Sequence, residues 1–385
     1  MIHSSLESLI EFIRSIYPDK DPVYLHEPQF VGNEKKYLEE CIDSTFVSSV
    51  GPFVGRFEEA IATFLTSPWP HTIGTVACVN GTAALHLALM VAGVQPGDRV
   101  ITQPLTFIAT ANAIRYCGAE PVFVDIDRDT MGMSPDALKN FLQSDRSTSR
   151  IAAILPMHTF GHPCRIDEIV AIAHEYNIPV IEDAAESIGS YYHDQHTGTF
   201  GDFGILSFNG NKTITTGGGG MIITKDPETA RQIRHLSTQA KVDHPWKFYH
   251  NMVGYNFRMP NINAALGLAQ LESMTGVAGT PTEGGMLQRK RQLAEKYRAF
   301  CDAHGIKFVN EPEGSRSNYW LNTILLNDHR ERDEFLQYAH EQHVMCRPAW
   351  ELMHTLPMYK ECQRGDLSNA EWVAERVVNL PSSPV

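Results

Sequence analysis

The sequence predicts an α/β fold, with a mainly parallel sheet covered by helices on both faces, followed by a smaller α+β unit. Three observations carry this reading. Between about residues 75 and 224 short β-rich runs alternate with helical patterns, and such alternation is what parallel strands joined by crossover helices require. Beyond residue 225 the alternation gives way to long helical patterns and a short mixed segment. A chain of 385 residues also exceeds what one ordinary core organises, so a second unit is expected.

In chain order, the opening stretch MIHSSLESLIEFIRSIYPDK places Glu, Arg and Asp inside its apolar pattern. It lacks the unbroken apolar core of a secretory signal and reads as an amphipathic surface helix of the mature fold. Strands are expected at 100–103, 121–127, 151–156, 179–182, 203–208 and 220–224, with a further β-like run just before Val79. Helices are expected at 83–92, 107–116, 134–142 and 167–176. Ligands gather at the carboxyl ends of strands in such sheets, so the residues there come first for scrutiny. A helix follows at 261–274 (NINAALGLAQLESM), then a loop at 275–285 whose Gly and Thr content stops a helix. A helix at 288–304, a strand at 320–326 and a helix at 332–343 complete the pattern. The division is an N-terminal helix or arm (1–30), a large α/β unit (31–260), and a linking helix with a small α+β unit (261–385).

The composition, 43% hydrophobic and 20% charged, is that of a soluble globular enzyme, and no apolar run approaches the roughly 18 residues of a membrane span. A formal charge of −13 argues against a nucleic-acid surface, while leaving room for a local basic pocket that takes a diphosphate. The 17 His residues fall in no metal-ligand motif, so no metal site is expected. Seven Cys, odd in number, widely spaced and without a CxxC, suit free thiols in a reducing compartment, the cytoplasm.

Three segments carry chemistry. Asn80-Gly81-Thr82-Ala83 is a small-residue turn opening a helix. Such a turn offers free N–H groups and the positive end of the helix dipole to a phosphate, although Thr82 also suits a plain cap. Glu182-Asp183 ends a strand in two acids, and Asp183 is the candidate to hold a pyridine nitrogen protonated; a helix cap is the other reading. Lys212 follows the strand at 203–208 and runs into Gly217–Gly220, where glycines let backbone approach a planar cofactor. A lysine in a partly dry site loses its proton and forms an imine, although a lone lysine is more often solvated. A phosphate turn, a strand-end acid and a later lysine, in that order, is the layout of fold-type I pyridoxal enzymes.

The chain resembles the DegT/DnrJ/StrS sugar aminotransferases. The stretches that carry the resemblance are SVGPFV from Ser49, NGTAALHLAL from Asn80, PLTFIATANAI from Pro104, EDAAESIG from Glu182, SFNGNKTITTGGGG from Ser207 and GYNFRMPNINAALGLAQL from Gly254. The resemblance implies an aspartate aminotransferase-like enzyme with a mainly parallel seven-stranded sheet and pyridoxal 5′-phosphate as cofactor. Lys212 would form the Schiff base with it and shuttle the proton, Asp183 would pair with the pyridine nitrogen, and Phe107 would lie against the ring. Gly81, Thr82 and Ser207 would hold the phosphate, and Asn256 would reach the phosphate of a neighbouring subunit, making a homodimer with composite sites. Phe53, His158 and Arg347 are candidates for substrate contact, Arg347 because its planar fork suits a carboxylate or phosphate. Two departures stand out: Glu186 replaces a Gln or His that meets the cofactor's phenolic oxygen, and four glycines replace Gly-Glu-Gly-Gly. A carboxylate at 186 would repel a phenolate unless protonated. The stretch from His26 to Val54 with EDAAES and TTGGGG is similar to the legionaminic-acid-pathway (LegC-like) 4-aminotransferases. That implies transfer of nitrogen from L-glutamate to C4 of a UDP- or GDP-linked 2-acetamido-4-keto-6-deoxyhexose. The alternatives are a PLP-dependent sugar dehydratase, whose relatives carry His in place of the lysine, a non-catalytic regulator with the same fold, and an amino-acid aminotransferase.

Overall fold

The computed structural model describes residues 3–66, 72–275 and 284–385. Most of the loop expected at 275–285 lies outside the described residues.

Three helices precede the sheet: α1 (Ser4–Ile16), α2 (Glu34–Asp43) and α3 (Pro52–Thr66). The large unit then alternates β1 (Gly74–Cys78), α4 (Gly81–Val91), β2 (Arg99–Thr102), α5 (Ile108–Tyr116), β3 (Glu120–Phe123), α6 (Pro135–Ser144), β4 (Ile151–Leu155), α7 (Ile166–Glu175) and β5 (Ile181–Asp183). A short hairpin, β6 (Tyr191–Tyr192) and β7 (Gln195–His196), leads to β8 (Phe203–Ser207) and β9 (Gly220–Thr224). The local signals behind these helices are plain. Asn80 accepts from Ala83 N–H at the start of α4, and Ser134 with Pro135 opens α6. α4 is apolar on nearly every face because it is packed between the sheet and α5, so it lacks an amphipathic stripe.

Parallel ladders join β3 to β2, β2 to β4, and β5 to β8. Parallel bridges at Ile154–Val180 and Met157–Asp183 tie β4 to β5. β9 runs antiparallel between β8 and β1. The result is the seven-stranded, mainly parallel sheet expected, in the order β3-β2-β4-β5-β8-β9-β1. All five residues of β8 and of β9 are buried, as a sheet covered on both faces demands. This topology gathers the carboxyl ends of β1, β5 and β8 and the amino end of β9 along one edge.

After α8 (Pro227–Ser237) and a small exposed hairpin, β10 (Lys241–Val242) with β11 (Tyr249–His250), the chain enters α9 (Asn261–Thr275). α9 packs on α2 and α3 and shares their core through Ala264, Leu268 and Leu271, alongside Phe57 and Ile61. The remaining elements are α10 (Met286–His304), β12 (Lys307–Phe308), β13 (Ser315–Arg316), β14 (Asn322–Leu325), α11 (His329–Glu341), β15 (Arg347–Pro348), α12 (Ser368–Ala374) and β16 (Val377–Leu380). They build an antiparallel sheet of order β12-β14-β16-β15. α1 buries Leu6, Leu9 and Ile13 against Leu293, Tyr297 and Phe335 of this second unit, far from it in sequence.

Some boundaries moved. The strand expected at 121–127 stops at Phe123, and that at 179–182 is shifted so that Asp183 lies inside β5. The strand expected from 320 starts at Asn322, because Tyr319 takes a positive φ of 46° and the backbone turns there. Among the described residues, no helix is long and apolar enough to cross a membrane. All seven Cys are free and buried.

Candidate active site at the carboxyl edge of the large sheet

Asp183 sits at the end of β5 with 3% of its surface exposed. Its Oδ2 accepts from Thr110 Oγ1 at 2.7 Å, and Oδ1 accepts from Ala185 N–H at 3.2 Å. Burial raises its carboxyl above the ordinary value, against the opposing pull of those two donors and of nearby Lys212. Thr110 is placed by α5, and Thr106 Oγ1 lies 2.7 Å from its hydroxyl, so a hydroxyl chain aims the carboxylate. Phe107 caps the same helix and is half-exposed.

Lys212 lies on the turn after β8. Its Nζ donates to Glu186 Oε1 at 3.1 Å and stands 4.2 Å from the centroid of the Trp320 ring. Glu186 is buried, and its second oxygen accepts from Phe160 N–H at 2.9 Å. Burial pushes Glu186 up to about 7, even though Lys212 and the Phe160 N–H pull the other way. The acid that departs from the expected Gln or His can therefore gain and lose a proton near neutrality.

The third component is a cradle. α4 begins at Gly81 beside the end of β8, and a Cβ on Gly81 would lie 3.1 Å from Ser207 Cβ and 3.3 Å from its Oγ. A Cβ on Gly220 would strike Asn80 O at 2.5 Å, so glycine is required where β9 passes under the helix start. Asn80 satisfies Ala83 N–H, which leaves the first N–H groups of α4, those of Gly81 and Thr82, for an anion.

A loop of the second unit closes the site. Asn318 Nδ2 donates to the carbonyls of Glu186 and Ile188 at 2.8 and 2.9 Å, and Trp320 Nε1 donates to Asn211 O at 2.8 Å. Sequence reading missed Thr110, Asn318 and Trp320. A polar-aromatic Asn-Tyr-Trp run just ahead of a strand was the signal available.

Asp183, Glu186 and Lys212 are thus brought together, with Gly81, Thr82 and Ser207 forming the cradle. Arg347 is exposed and lines a cavity with Asn211 and Trp320. Asn256 is exposed on the segment leading to α9, its backbone bridged to Thr238. Two candidates for substrate contact are corrected. Phe53 is 3% exposed, packed in the core against Tyr37 with centroids 5.4 Å apart. His158 is fully buried with both ring nitrogens engaged: Cys164 N–H donates to Nδ1 at 3.2 Å, so Nε2 carries the proton given to Glu182 at 3.0 Å.

The residues fit pyridoxal 5′-phosphate: an anion cradle, a buried acid for the ring nitrogen, and a shielded amine for the aldehyde carbon. Residues 28–385 match the model of the DegT/DnrJ/EryC1/StrS aminotransferase family. The chain is 39% identical over 364 residues to the GDP-perosamine synthase of Escherichia coli O157:H7, covering 94% of this chain and 93% of that protein. It is 37% identical to the putative pyridoxal phosphate-dependent aminotransferase EpsN of Bacillus subtilis, over 88% of this chain and 84% of that one. Its fold matches the crystal structure of DesI in the presence of its TDP-sugar product with a TM-score of 0.81 and 28% identity, covering 94% of this chain and 88% of that one. The chain belongs to the DegT/DnrJ/EryC1/StrS aminotransferase family and is a pyridoxal-phosphate-dependent sugar aminotransferase.

Proposed function

We propose that this enzyme moves an amino group from L-glutamate to C4 of a nucleotide-linked 2-acetamido-4-keto-6-deoxyhexose. The observation that carries the reading is the convergence of Lys212 Nζ and Glu186 Oε1, 3.1 Å apart, with buried Asp183 on the same sheet edge. Pyridoxal phosphate supplies an electron-accepting ring and a carbon on which nitrogen is parked between the two substrates. The N–H groups of Gly81 and Thr82 and the Ser207 hydroxyl bind the phosphate. Asp183, aimed by Thr110, holds a proton at the ring nitrogen. Lys212 Nζ takes the proton from the donor's α-carbon and returns it in the second half of the cycle. Trp320, against Nζ, keeps water from that amine, and Phe107 packs on the ring. Arg347 meets a substrate anion.

The nucleotide-linked acceptor is supported by similarity to a protein named for making a GDP-linked amino sugar. The 2-acetamido sugar of the legionaminic-acid type, UDP- or GDP-linked, is supported by the 26–54 stretch and by Glu186. A homodimer in which Asn256 completes the partner site is supported by the exposed Trp246, Phe248 and Val253 just before it, since apolar groups of that size in one segment suit an interface. Seven free, buried Cys support a reducing, cytoplasmic setting.

The test is the absorption spectrum of the protein loaded with pyridoxal phosphate, before and after L-glutamate, beside Lys212→Ala. Conversion of the lysine-bound form to the amine form in wild type, and its loss in the variant, is the expected result. The converted enzyme is then offered UDP- and GDP-linked keto sugars. No conversion with any amino donor would sink the reading.

A further inference from the structure

We infer that His26 and Arg347 form the subsite for a carboxylate of the amino donor, which makes His26 a specificity-determining residue; the inference rests on the transamination reading above. A cavity of about 450 Å³ is lined by His26, Asn211, Trp320, Leu321 and Arg347 among others. It shares a wall with the reactive amine: the Trp320 ring that lines it also stands 4.2 Å from Lys212 Nζ, and Asn211 is the next residue in the chain.

His26 is 9% exposed, and its ring is held from behind by a lysine with no exposure at all. Lys290 Nζ lies 3.1 Å from His26 Nε2, 3.2 Å from Trp320 O and 2.8 Å from Ser382 O. Burial lowers Lys290 to about 7, and while it carries its proton three acceptors use the three protons of the ammonium, so Nε2 accepts and the neutral ring carries its proton on Nδ1. Burial, with the charges of Lys290 and Lys212, holds the imidazole well below its usual range, which keeps it in that neutral state. Nδ1 is buried and has no partner among the described residues. A buried donor left empty on a residue that lines a cavity calls for an acceptor from outside the chain.

Arg347 supplies the charge. It is exposed, it makes no ion pair among the described residues, and its planar fork suits a carboxylate. Glu27 also lines the cavity, with its carboxylate 3.1 Å from Lys20 Nζ. One guanidinium, one neutral N–H and a neighbouring carboxylate make a poor site for a diphosphate and a sufficient one for a single carboxylate.

The probe is glutarate, a dicarboxylate with no amine to react, titrated calorimetrically into cofactor-loaded protein. His26→Phe and Arg347→Met should each weaken glutarate binding and raise the KM for L-glutamate about tenfold or more, with kcat and the KM for the keto sugar held within about threefold. His26→Asn, which keeps an N–H near the place of Nδ1, should bind glutarate nearly as wild type does. Unchanged glutarate affinity in both His26→Phe and Arg347→Met overturns the proposal, as does a rise confined to the KM for the keto sugar. Should His26→Phe fail to fold because Lys290 loses its acceptor, Arg347→Met, an exposed position, decides alone. Failure of the transamination reading looks different: L-glutamate would leave the wild-type spectrum unchanged, whereas glutarate binding would still report the subsite.

Discussion

Glu182 and Asp183 are neighbours at the end of one strand, and they are held in opposite ways. Strand geometry sends their side chains to opposite faces of the sheet. Glu182 meets four donors: the N–H groups of Gly198, Phe200 and Gly201, each at 2.7 Å, and His158 Nε2 at 3.0 Å. Its acceptor capacity is spent, and it pins the 198–201 turn to the sheet. Asp183, equally buried, meets one hydroxyl and one N–H at the longer distance of 3.2 Å. It keeps lone pairs unspent. Burial is common to both, so what separates the two acids is unspent hydrogen-bonding capacity.

The sharpest way to break this contrast is to neutralise each acid without changing its shape. Asp183→Asn should lower the rate of the glutamate half-reaction about a thousandfold, the scale of losing a proton-holding group, while leaving the unfolding midpoint of the cofactor-free protein close to wild type. Stopped-flow absorbance and thermal unfolding measure the two sides. Glu182→Gln should do the reverse. It turns one of two acceptor oxygens into a donor facing N–H groups, and a broken buried network of this kind costs about 3 kcal/mol. Calorimetric unfolding should show a lowered midpoint with the half-reaction intact in whatever protein remains folded. Equal loss of stability in both variants would remove the distinction.

The contrast also explains what the sequence could and could not disclose. Asp183 and Lys212 could be named as candidates because strand ends and chain order point to them, and Gly81 because a small-residue turn opens a helix. The parallel sheet was legible because its fully buried strands are continuous apolar runs. His158 was misread because residue type and position say nothing about whether both ring nitrogens are already engaged. Phe53 was misread because an aromatic beside a Gly-Pro turn looks the same in a core as at a ligand. Asn318, Trp320 and His26 were invisible as site residues because tertiary packing, not local sequence, carries them to Lys212 from more than a hundred residues away on either side.

Glu186 lies between the two extremes. It accepts one N–H from Phe160 and one from Lys212, and burial pushes it up to about 7. Its folded value is above its ordinary one, so between about pH 4.5 and 7 the fold keeps a proton that the unfolded chain releases. The stability it contributes is therefore full below the lower value and is lost as pH rises through the upper one. Glu186→Gln should flatten that fall in the unfolding midpoint of the cofactor-free protein. It should also leave the half-reaction rate less dependent on pH near neutrality, because an amide, unlike a carboxyl, has no proton to lose in that range. An unchanged stability profile across that window would mean that Glu186 titrates as an ordinary acid.

The smallest effect tests how Asp183 is aimed. Thr110 gives its only proton to Asp183, so Thr106 must donate in turn to Thr110 across their 2.7 Å contact. Thr110→Val keeps the volume and the β-branch but removes the hydroxyl, leaving Oδ2 with one donor fewer. The loss of one hydrogen bond to a buried charged group costs about 1–2 kcal/mol, close to a tenfold change. If aiming is the role of Thr110, that cost should fall on the half-reaction rate, with little change in the unfolding midpoint. If Thr110 serves only to satisfy a buried carboxylate, the cost should appear in the unfolding of the cofactor-free protein, and the loaded enzyme should turn over at the wild-type rate. In the second case the difference between Asp183 and Glu182 would be one of unspent capacity alone, with no contribution from orientation.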